Sequence, residues 1–451
     1  MASGPGAVAT TSRPVRVAFR TFGCKLNLYE TAGMSQAARR REFEVVPSDL
    51  AADVIVVNTC SVTARADQEA RQYIRSVHRR QPEVRVVVTG CYAQRAPDEL
   101  SSLPGVALVA GHREKDVLHR LLGELPPSGD PARVLVGSLA GKRMTRLRAI
   151  GIDGRTRAYL RVQDGCNSAC TYCVIPETRG PSASLLLEEA LGEGQRLLDA
   201  GQKEIVVTGT HLGHYGLDLR PRRSLSDLVE GLLQLRTSET YRVRLSSIEP
   251  QEIDDRLVEM MEGSEILAPH LHLPLQSGSD DMLRAMRRSY RTRAYRKQVE
   301  KVAARVAPLA LGADLIVGFP GETEGDFRKT LAFLADLPFT YLHPFTYSPR
   351  PGTPAAGWRA RPPGDMCKRR LASARAMLDR KNLVFRSGLV GRRARVLVEE
   401  TGSDGTSHGL SEYYVRVTFK GNKNLCGRFA LVNLTGLNKD GLVGRMLEAV
   451  P

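Results

Sequence analysis

Three segments in the first 125 residues are dense in β-branched side chains with little polar alternation: "VRVAFRTFGC", "DVIVVNTC" and "VRVVVTGC". Short apolar runs of this kind predict strands buried on both faces, as in a parallel sheet. Helical spacing separates them, as in "EARQYIRSVHRR" at 69–80, so residues 14–125 are expected to form an open parallel α/β domain. A second series follows, with strands "RAYLRVQ", "KEIVVTG", "YRVRLSS", "HLHLPLQ", "GADLIVGF" and "FTYLHPFTY". Between its first two strands, "SLLLEEALGEGQRLLDAG" has amphipathic helical spacing and closes on Gly201, a normal helix stop. Six strands with crossover helices predict a full or partial (β/α) barrel over 152–386. The pattern then changes: "RRARVLVEE", "YYVRVTF" and "RFALVNL" alternate and are joined by Gly, Asn, Asp and Ser turns. That predicts a small antiparallel β-barrel over 387–451, led into by the helical stretch "MCKRRLASARAMLDRKNLVFR". Residues 1–13 read as a flexible arm, and 126–151, rich in Pro, Gly and basic residues, as a linker. The fold class is α/β.

Composition adds a compartment and a partner. The 451 residues are 42% hydrophobic and 25% charged, which suits several globular cores. No window approaches the roughly 18–20 apolar residues of a membrane span. The first residues lack the charged-then-apolar layout of a signal peptide, so the expectation is a cytoplasmic protein with no membrane partner, a monomer by default. Formal net charge is +16. Twelve Lys or Arg lie between Arg359 and Arg395 against two aspartates, and seven between Arg284 and Lys297 against no acid. Runs like these favour an anionic partner, with nucleic acid the first candidate.

In a reducing compartment the eight cysteines are not expected to pair as disulfides, and metal or cluster ligation or plain burial must account for them. Cys24, Cys60 and Cys91 each follow a predicted strand directly. In a parallel sheet those carboxyl ends share one edge, where open α/β folds hold ligands, so three distant thiols are expected to meet there. Cys166, Cys170 and Cys173 lie in one loop, "GCNSACTYC", after the first barrel strand. Thiolates suit iron–sulfur clusters and zinc, but no fourth Cys or His lies within a few residues. A 4Fe–4S cluster held by three thiolates keeps one iron open for an exogenous ligand. Cys367 and Cys426 stand alone and are expected to be idle.

The C-x3-C-x2-C spacing with Tyr172 before the last Cys resembles the signature of radical S-adenosylmethionine enzymes. The resemblance runs from about residue 14 to the end, through "TFGCKLN", "NTCSVTARADQEARQ", "TGCYAQ", "QDGCNSACTYCVIPETRG", "RLSSIEP", "HLPLQSGSDDMLRAMRR", "DLIVGFPGETE" and "YSPRPGTPAA". In this order the motifs are similar to those of the radical S-adenosylmethionine methylthiotransferases, whose carboxy-terminal barrel is the nucleic-acid-binding TRAM domain. The resemblance implies two 4Fe–4S clusters. One, on Cys166, Cys170 and Cys173, binds S-adenosylmethionine at its open iron and generates the 5′-deoxyadenosyl radical. The other, on Cys24, Cys60 and Cys91, carries the sulfur to be inserted. "GCKLN" and "NTCSVTARADQEARQ" look most like the branch acting on carbon 2 of N6-threonylcarbamoyladenosine at tRNA position 37. The N6-isopentenyladenosine branch, a ribosomal-protein aspartate, and a non-catalytic RNA-binding protein stapled by zinc are the alternatives. Implied partners are a tRNA anticodon loop, a reductant protein such as flavodoxin or ferredoxin, and a sulfur donor.

The resemblance also implies contacts to S-adenosylmethionine from strand-end residues: Tyr172, Thr208, Gly209, Ser247, Glu249, Gln276 and Gly318, with Ser246 and Ser277 beside them. A plain turn or strand end accounts for each equally well, and Glu249 could instead pair with an Arg. Asn27 and Asn58 are expected to orient backbone near the first cysteines. His211, His270 and His272 read as structural. Leu28 stands where the family leads one to expect a polar residue, which puts a contact near Cys24 in doubt.

Overall fold

In the computed structural model, which describes residues 13–450 apart from 42, 153 and 422, six parallel strands form the first sheet. They are β1 (Arg16–Thr21), β2 (Glu44–Val46), β3 (Val54–Thr59), β4 (Arg85–Gly90), β5 (Val106–Ala110) and β6 (Arg133–Leu135), in the order β2-β1-β3-β4-β5-β6. The arm expected over 1–13 lies outside the described residues except for Arg13. All six residues of β3 are buried. Ile55, Val57, Val86 and Val88 face one core, while Val54, Val56 and Val87 face the other. This two-sided burial is why these strands read as continuous apolar runs. The chain leaves β1 toward β2 on one side and returns to β3 on the other, so the strand order reverses beside β1. Residues 126–151 add β6 to this sheet and then bury Leu139, Lys142, Thr145, Leu147 and Ala149.

The second series gives β7 (Arg157–Arg161), a two-residue pair β8 (Gln163–Asp164) and β9 (Ala183–Ser184), then β10 (Glu204–Thr208) and β11 (Arg242–Leu245). It continues with β12 (His270–His272), β13 (Ala310–Val317) and β14 (Tyr341–Thr346). The parallel sheets β11-β10-β7 and β12-β13-β14 are joined by the bridges Val243↔Leu267 and Ser247↔His272. The result is a six-stranded partial barrel, with no pairing of β14 to β7 among the described residues. The helix Lys25–Arg39 of the first domain touches β7. The helix Leu187–Asp199 ends just before Gly201, whose φ of 80° supplies the expected stop.

The helix Gly364–Leu389 leads into a closed barrel of β15 (Arg393–Thr401), β16 (Thr406–Ser411), β17 (Arg416–Lys420), β18 (Phe429–Leu437) and β19 (Leu442–Val450). All its ladders are antiparallel except β17–β19. A ring of five strands cannot alternate direction throughout, so one parallel contact is unavoidable. No described helix is long and apolar enough to cross a membrane.

This small barrel is clasped to the amino ends of β10 and β11 by buried charge. Glu204 sits between Arg242 and Arg244, which donate to the carbonyls of Arg395 (2.8 Å), Leu410 (2.9 Å), Ser411 (3.1 Å) and Glu412 (3.0 Å). Glu204 is fully buried. Burial alone would raise its carboxyl, but the two guanidiniums outweigh this and hold it at about 2. Removing one partner of such a set leaves charge buried without compensation. Arg242→Ala is therefore expected to lower stability by about 3 kcal/mol, and limited proteolysis should release a fragment starting near residue 390. Proteolysis indistinguishable from the parent would show that the clasp does not hold the barrel.

Candidate active site

Cys24, Cys60 and Cys91 sit at the carboxyl ends of β1, β3 and β4, which are adjacent in the sheet and flank the reversal of strand order. Cys24 caps the helix Lys25–Arg39, and Cys91 opens the helix Cys91–Arg95, so two of the three face helix amino termini. Glycines let these ends converge. Gly23 has φ 98°, and a Cβ on it would stand 2.7 Å from Cys60 Sγ. Gly90 has φ 100°, and a Cβ there would lie 2.6 Å from the Thr59 amide nitrogen. Burial pushes the Cys60 thiol up to about 12, aided by the neighbouring Cys91 and Cys24. Burial likewise raises the Cys24 thiol. Asn27 Nδ2 donates to the carbonyls of Phe22 (2.7 Å) and Thr59 (3.0 Å), and Asn58 Nδ2 donates to Asn27 O (3.0 Å). Both asparagines thus fix backbone around this trio. Leu28 joins Tyr29, Ala149, Tyr159 and Ile152 in an apolar seam between the first domain and the partial barrel, so packing takes the place of the polar contact expected there.

The second trio lies after β8. Its loop is held by Cys166 N to Gly180 O (3.0 Å), Thr171 N to Met286 O (3.2 Å) and Ala355 N to Thr171 O (2.9 Å). Tyr172 stacks edge-on against Phe319 at 6.3 Å. Arg288 Nη1 donates to Cys170 Sγ (3.4 Å) and its other arm pairs with Glu249, so the Arg pairing weighed for Glu249 is the one observed. His211 was expected to be structural, yet its Nδ1 lies 3.3 Å from Cys166 Sγ while its Nε2 meets Glu252 at 2.5 Å. Burial would lower the imidazole, but the bonds to Cys166 and Glu252 lift it to about 10. Burial also pushes the Cys166 thiol up, and hydrogen bonds from His211 and Ser168 bring it below its ordinary value. The histidine follows "TGT" at the end of β10; that strand-end position was the only signal in the sequence.

Among the described residues, the one set of three metal-binding side chains whose ligand atoms all lie within 4.8 Å of one another is Cys166, His211 and His214. In His211 both ring nitrogens already have hydrogen-bond partners. The sulfurs of neither trio come that close together.

Between the trios runs a buried ionic network that sequence reading missed. Glu30 lies among Lys115 (2.5 Å), Arg179 (3.0 Å) and Arg161 (3.4 Å), with His112 at 4.0 Å. Asp164 meets Lys142 (2.5 Å) and Arg179 (2.8 Å). Arg179, six residues past Cys173, also donates to Asn27 Oδ1 (2.7 Å) and so ties the second trio's segment to the first trio's loop. No periodicity marks these charges, because their partners are more than 80 residues away in most cases.

The six barrel strands enclose a cavity of about 500 Å³, lined by Tyr159, Thr208, Ser246, His272, Asp314 and His343, one from each strand or its end. Cys24, Lys25 and Leu28 line it from the first domain. Thr208, Gly209 and Ser247 are thus brought to one space with Cys24, and Tyr172 and Glu249 lie beside the second trio. Gln276 (φ 63°) and Gly318 (φ 78°) do not line this cavity; Gly318 donates to Glu322 (2.7 Å), and its hydrogen side faces buried Cys367. Ser277 is buried and bonded to Thr330. Cys426 is exposed and donates to Glu399 O (3.3 Å).

The chain is similar to known proteins along most of its length. A family described as "Uncharacterized protein family UPF0004" matches residues 16–111, and the "Radical SAM superfamily" matches residues 160–334. The threonylcarbamoyladenosine tRNA methylthiotransferase MtaB of Bacillus subtilis is 36% identical over 93% of this chain and 93% of its own. A tRNA-2-methylthio-N(6)-dimethylallyladenosine synthase of Erythrobacter litoralis is 33% identical over 98% of this chain and 99% of its own. Among solved structures, the radical S-adenosylmethionine methyltransferase TsrM of Kitasatospora setae, with cobalamin and a 4Fe–4S cluster bound, superposes with a TM-score of 0.56. It is 16% identical and covers 76% of this chain and 77% of its own, a likeness of fold.

The ionic network makes a pH prediction. Burial raises the Glu30 and Asp164 carboxyls, but Arg179 and Lys115 around Glu30, and Lys142 and Arg179 around Asp164, outweigh it and hold both well below the usual range. Their contribution is full above the ordinary carboxyl value of about 4 and is lost as pH falls through the lower folded values. Burial and Lys115 hold His112 well below its ordinary value, so only the unfolded chain takes up that proton below about pH 6.5, and stability falls on acidification there too. Calorimetry should show Tm falling from pH 8 to pH 5, with a shallower fall in His112→Gln. Glu30→Gln should cost about 3–5 kcal/mol at pH 7. An unchanged slope in His112→Gln would exclude its role.

Proposed function

Because the chain belongs to the methylthiotransferases that carry a radical S-adenosylmethionine core, we propose that it inserts sulfur and methylates it at carbon 2 of N6-threonylcarbamoyladenosine at tRNA position 37. The observation that carries this reading is the shared space: Cys24 of the first trio opens on the barrel cavity whose upper wall, Thr208, Gly209 and Ser247, adjoins the loop of the second trio. The substrate follows the threonylcarbamoyladenosine enzyme that matches nearly end to end.

In this reading Cys166, Cys170 and Cys173 hold one 4Fe–4S cluster and Cys24, Cys60 and Cys91 a second. When bound, the first with S-adenosylmethionine supplies one-electron chemistry able to activate a C–H bond, and the second presents the sulfur. The chain's own residues orient and shield. Arg288 and His211 fix the sulfurs of Cys170 and Cys166 through N–H groups. Thr208, Gly209, Ser247 and Tyr172, with Glu249, Gln276 and Gly318 further along the strand ends, are the surroundings proposed for S-adenosylmethionine. Lys25 and Leu28, at the start of the helix that touches β7, wall the cavity from the first domain.

Arg369, Arg375 and Arg380 on the helix Gly364–Leu389, with Arg392 and Arg393 beyond it, are exposed and form no ion pair among the described residues. That ridge suits the phosphates around an anticodon loop, which supply most of the affinity in such contacts. A reductant protein such as flavodoxin or ferredoxin and a sulfur donor complete the partners the chemistry needs.

Mass spectrometry of tRNA nucleosides from cells lacking this gene should show loss of 2-methylthio-N6-threonylcarbamoyladenosine and accumulation of its unthiolated precursor. Unchanged tRNA nucleosides would overturn the assignment. Anaerobically reconstituted protein should hold about eight irons per chain. Cys60→Ala and Cys166→Ala should each lose about half, and Gly23→Ala should behave like Cys60→Ala, because its Cβ displaces that sulfur. Colourless protein with two zinc ions would exclude the enzymatic reading.

A further inference from the structure

The barrel cavity is polar in an uneven way. Three cations line it: Arg155 just before β7 and Arg157 opening β7, at the amino end of that strand, and Lys25 at the start of the first domain's helix. Arg157 is paired with Glu399 at 3.1 Å. Lys25 and Arg155 form no ion pair among the described residues, and both are exposed to the cavity. Asp314 is the one carboxylate in the lining and faces His272 Nε2 at 3.2 Å. His270, 3% exposed, meets Tyr341 through its Nε2 at 2.8 Å. Tyr414 of the small barrel stacks against His270 (4.4 Å between ring centroids) and Tyr341 (5.3 Å) and closes this end.

An apolar occupant would leave two cations without partners, which is costly for each of them. An occupant bearing a carboxylate pairs with both. Arg155 and Arg157 stand at the amino end of β7, whereas the second trio follows the carboxyl ends of β7 and β8, so the proposed S-adenosylmethionine site does not account for them.

We infer that this end of the cavity selects the substrate by the carboxylate on its N6 substituent, with Lys25 and Arg155 taking the carboxylate. The inference rests on the proposed tRNA substrate and explains how the site rejects an apolar isopentenyl arm.

The test uses reconstituted full-length protein and synthetic anticodon stem–loops carrying, at position 37, the threonylcarbamoyl nucleoside, its carboxylate methyl ester, N6-isopentenyladenosine or adenosine. Dissociation constants are read by fluorescence anisotropy. The acid should bind at least about tenfold more tightly than the methyl ester, the worth of one charge-assisted contact. Arg155→Gln should reduce that preference to about twofold while leaving binding of the adenosine loop unchanged. Equal binding of acid and ester by the unaltered protein would overturn the inference, and so would an undiminished preference in Arg155→Gln. Methylthiolation of the threonylcarbamoyl loop is scored in the same samples. If it proceeds while acid and ester bind alike, the proposed function stands and only this inference falls. If the isopentenyl loop alone is modified, the proposed substrate falls with it.

Discussion

The architecture turns on one buried set of charges. Glu30 and Asp164 are surrounded by Lys115, Lys142, Arg161 and Arg179, drawn from the first domain, the segment after it and the partial barrel. Taking such groups out of water is costly, and the cost is offset only when every charge keeps its partner in good geometry. The two domains therefore cannot slide or rotate without breaking several bonds at once. The set also holds four cations against two carboxylates, and Arg179 acts electrostatically on both Cys24 and Cys91. Arg179 lowers the Cys24 thiol, but burial outweighs it and leaves that thiol above its ordinary value. Arg179 thus links the two cysteine groups both mechanically and electrically.

A second constraint is the gap in the barrel. Six strands leave β14 unpaired with β7, and a lone partial barrel would expose its interior along that side. Here Cys24, Lys25 and Leu28 from the first domain line the interior together with residues of all six strands, and Tyr414 of the small barrel stacks at its lower end. The cavity is consequently a product of three domains. Cys24, Thr208, Gly209 and Ser247 share its lining with Lys25 and Arg155. The small barrel is clasped beneath it through Glu204, Arg242 and Arg244.

Some of this was legible in the sequence, for a local reason in each case. β3 and β4 are buried on both faces, so they appear as unbroken apolar runs, and the cysteine after each was already assigned to a strand end. The loop from Cys166 to Cys173 carries all three thiols within eight residues, so its chemistry needed no fold to be read. The five-stranded barrel announced itself through alternation, although its parallel β17–β19 contact follows from closing an odd ring and leaves no mark in composition.

What the sequence determined by itself is the set of elements and the two groups of thiols, because burial pattern, turn residues and cysteine spacing act over a few residues. The tertiary structure alone decided what those groups face. His211 became a partner of Cys166 because the ends of β7 and β10 are neighbours, and Glu30 became buried because Arg179, 149 residues later, meets it. Lys25 and Arg155 look like ordinary surface charges in the chain, and they line a cavity only where the first domain closes the open barrel. Charge carries no periodicity that reveals a distant partner, so electrostatic complementarity is settled by the fold.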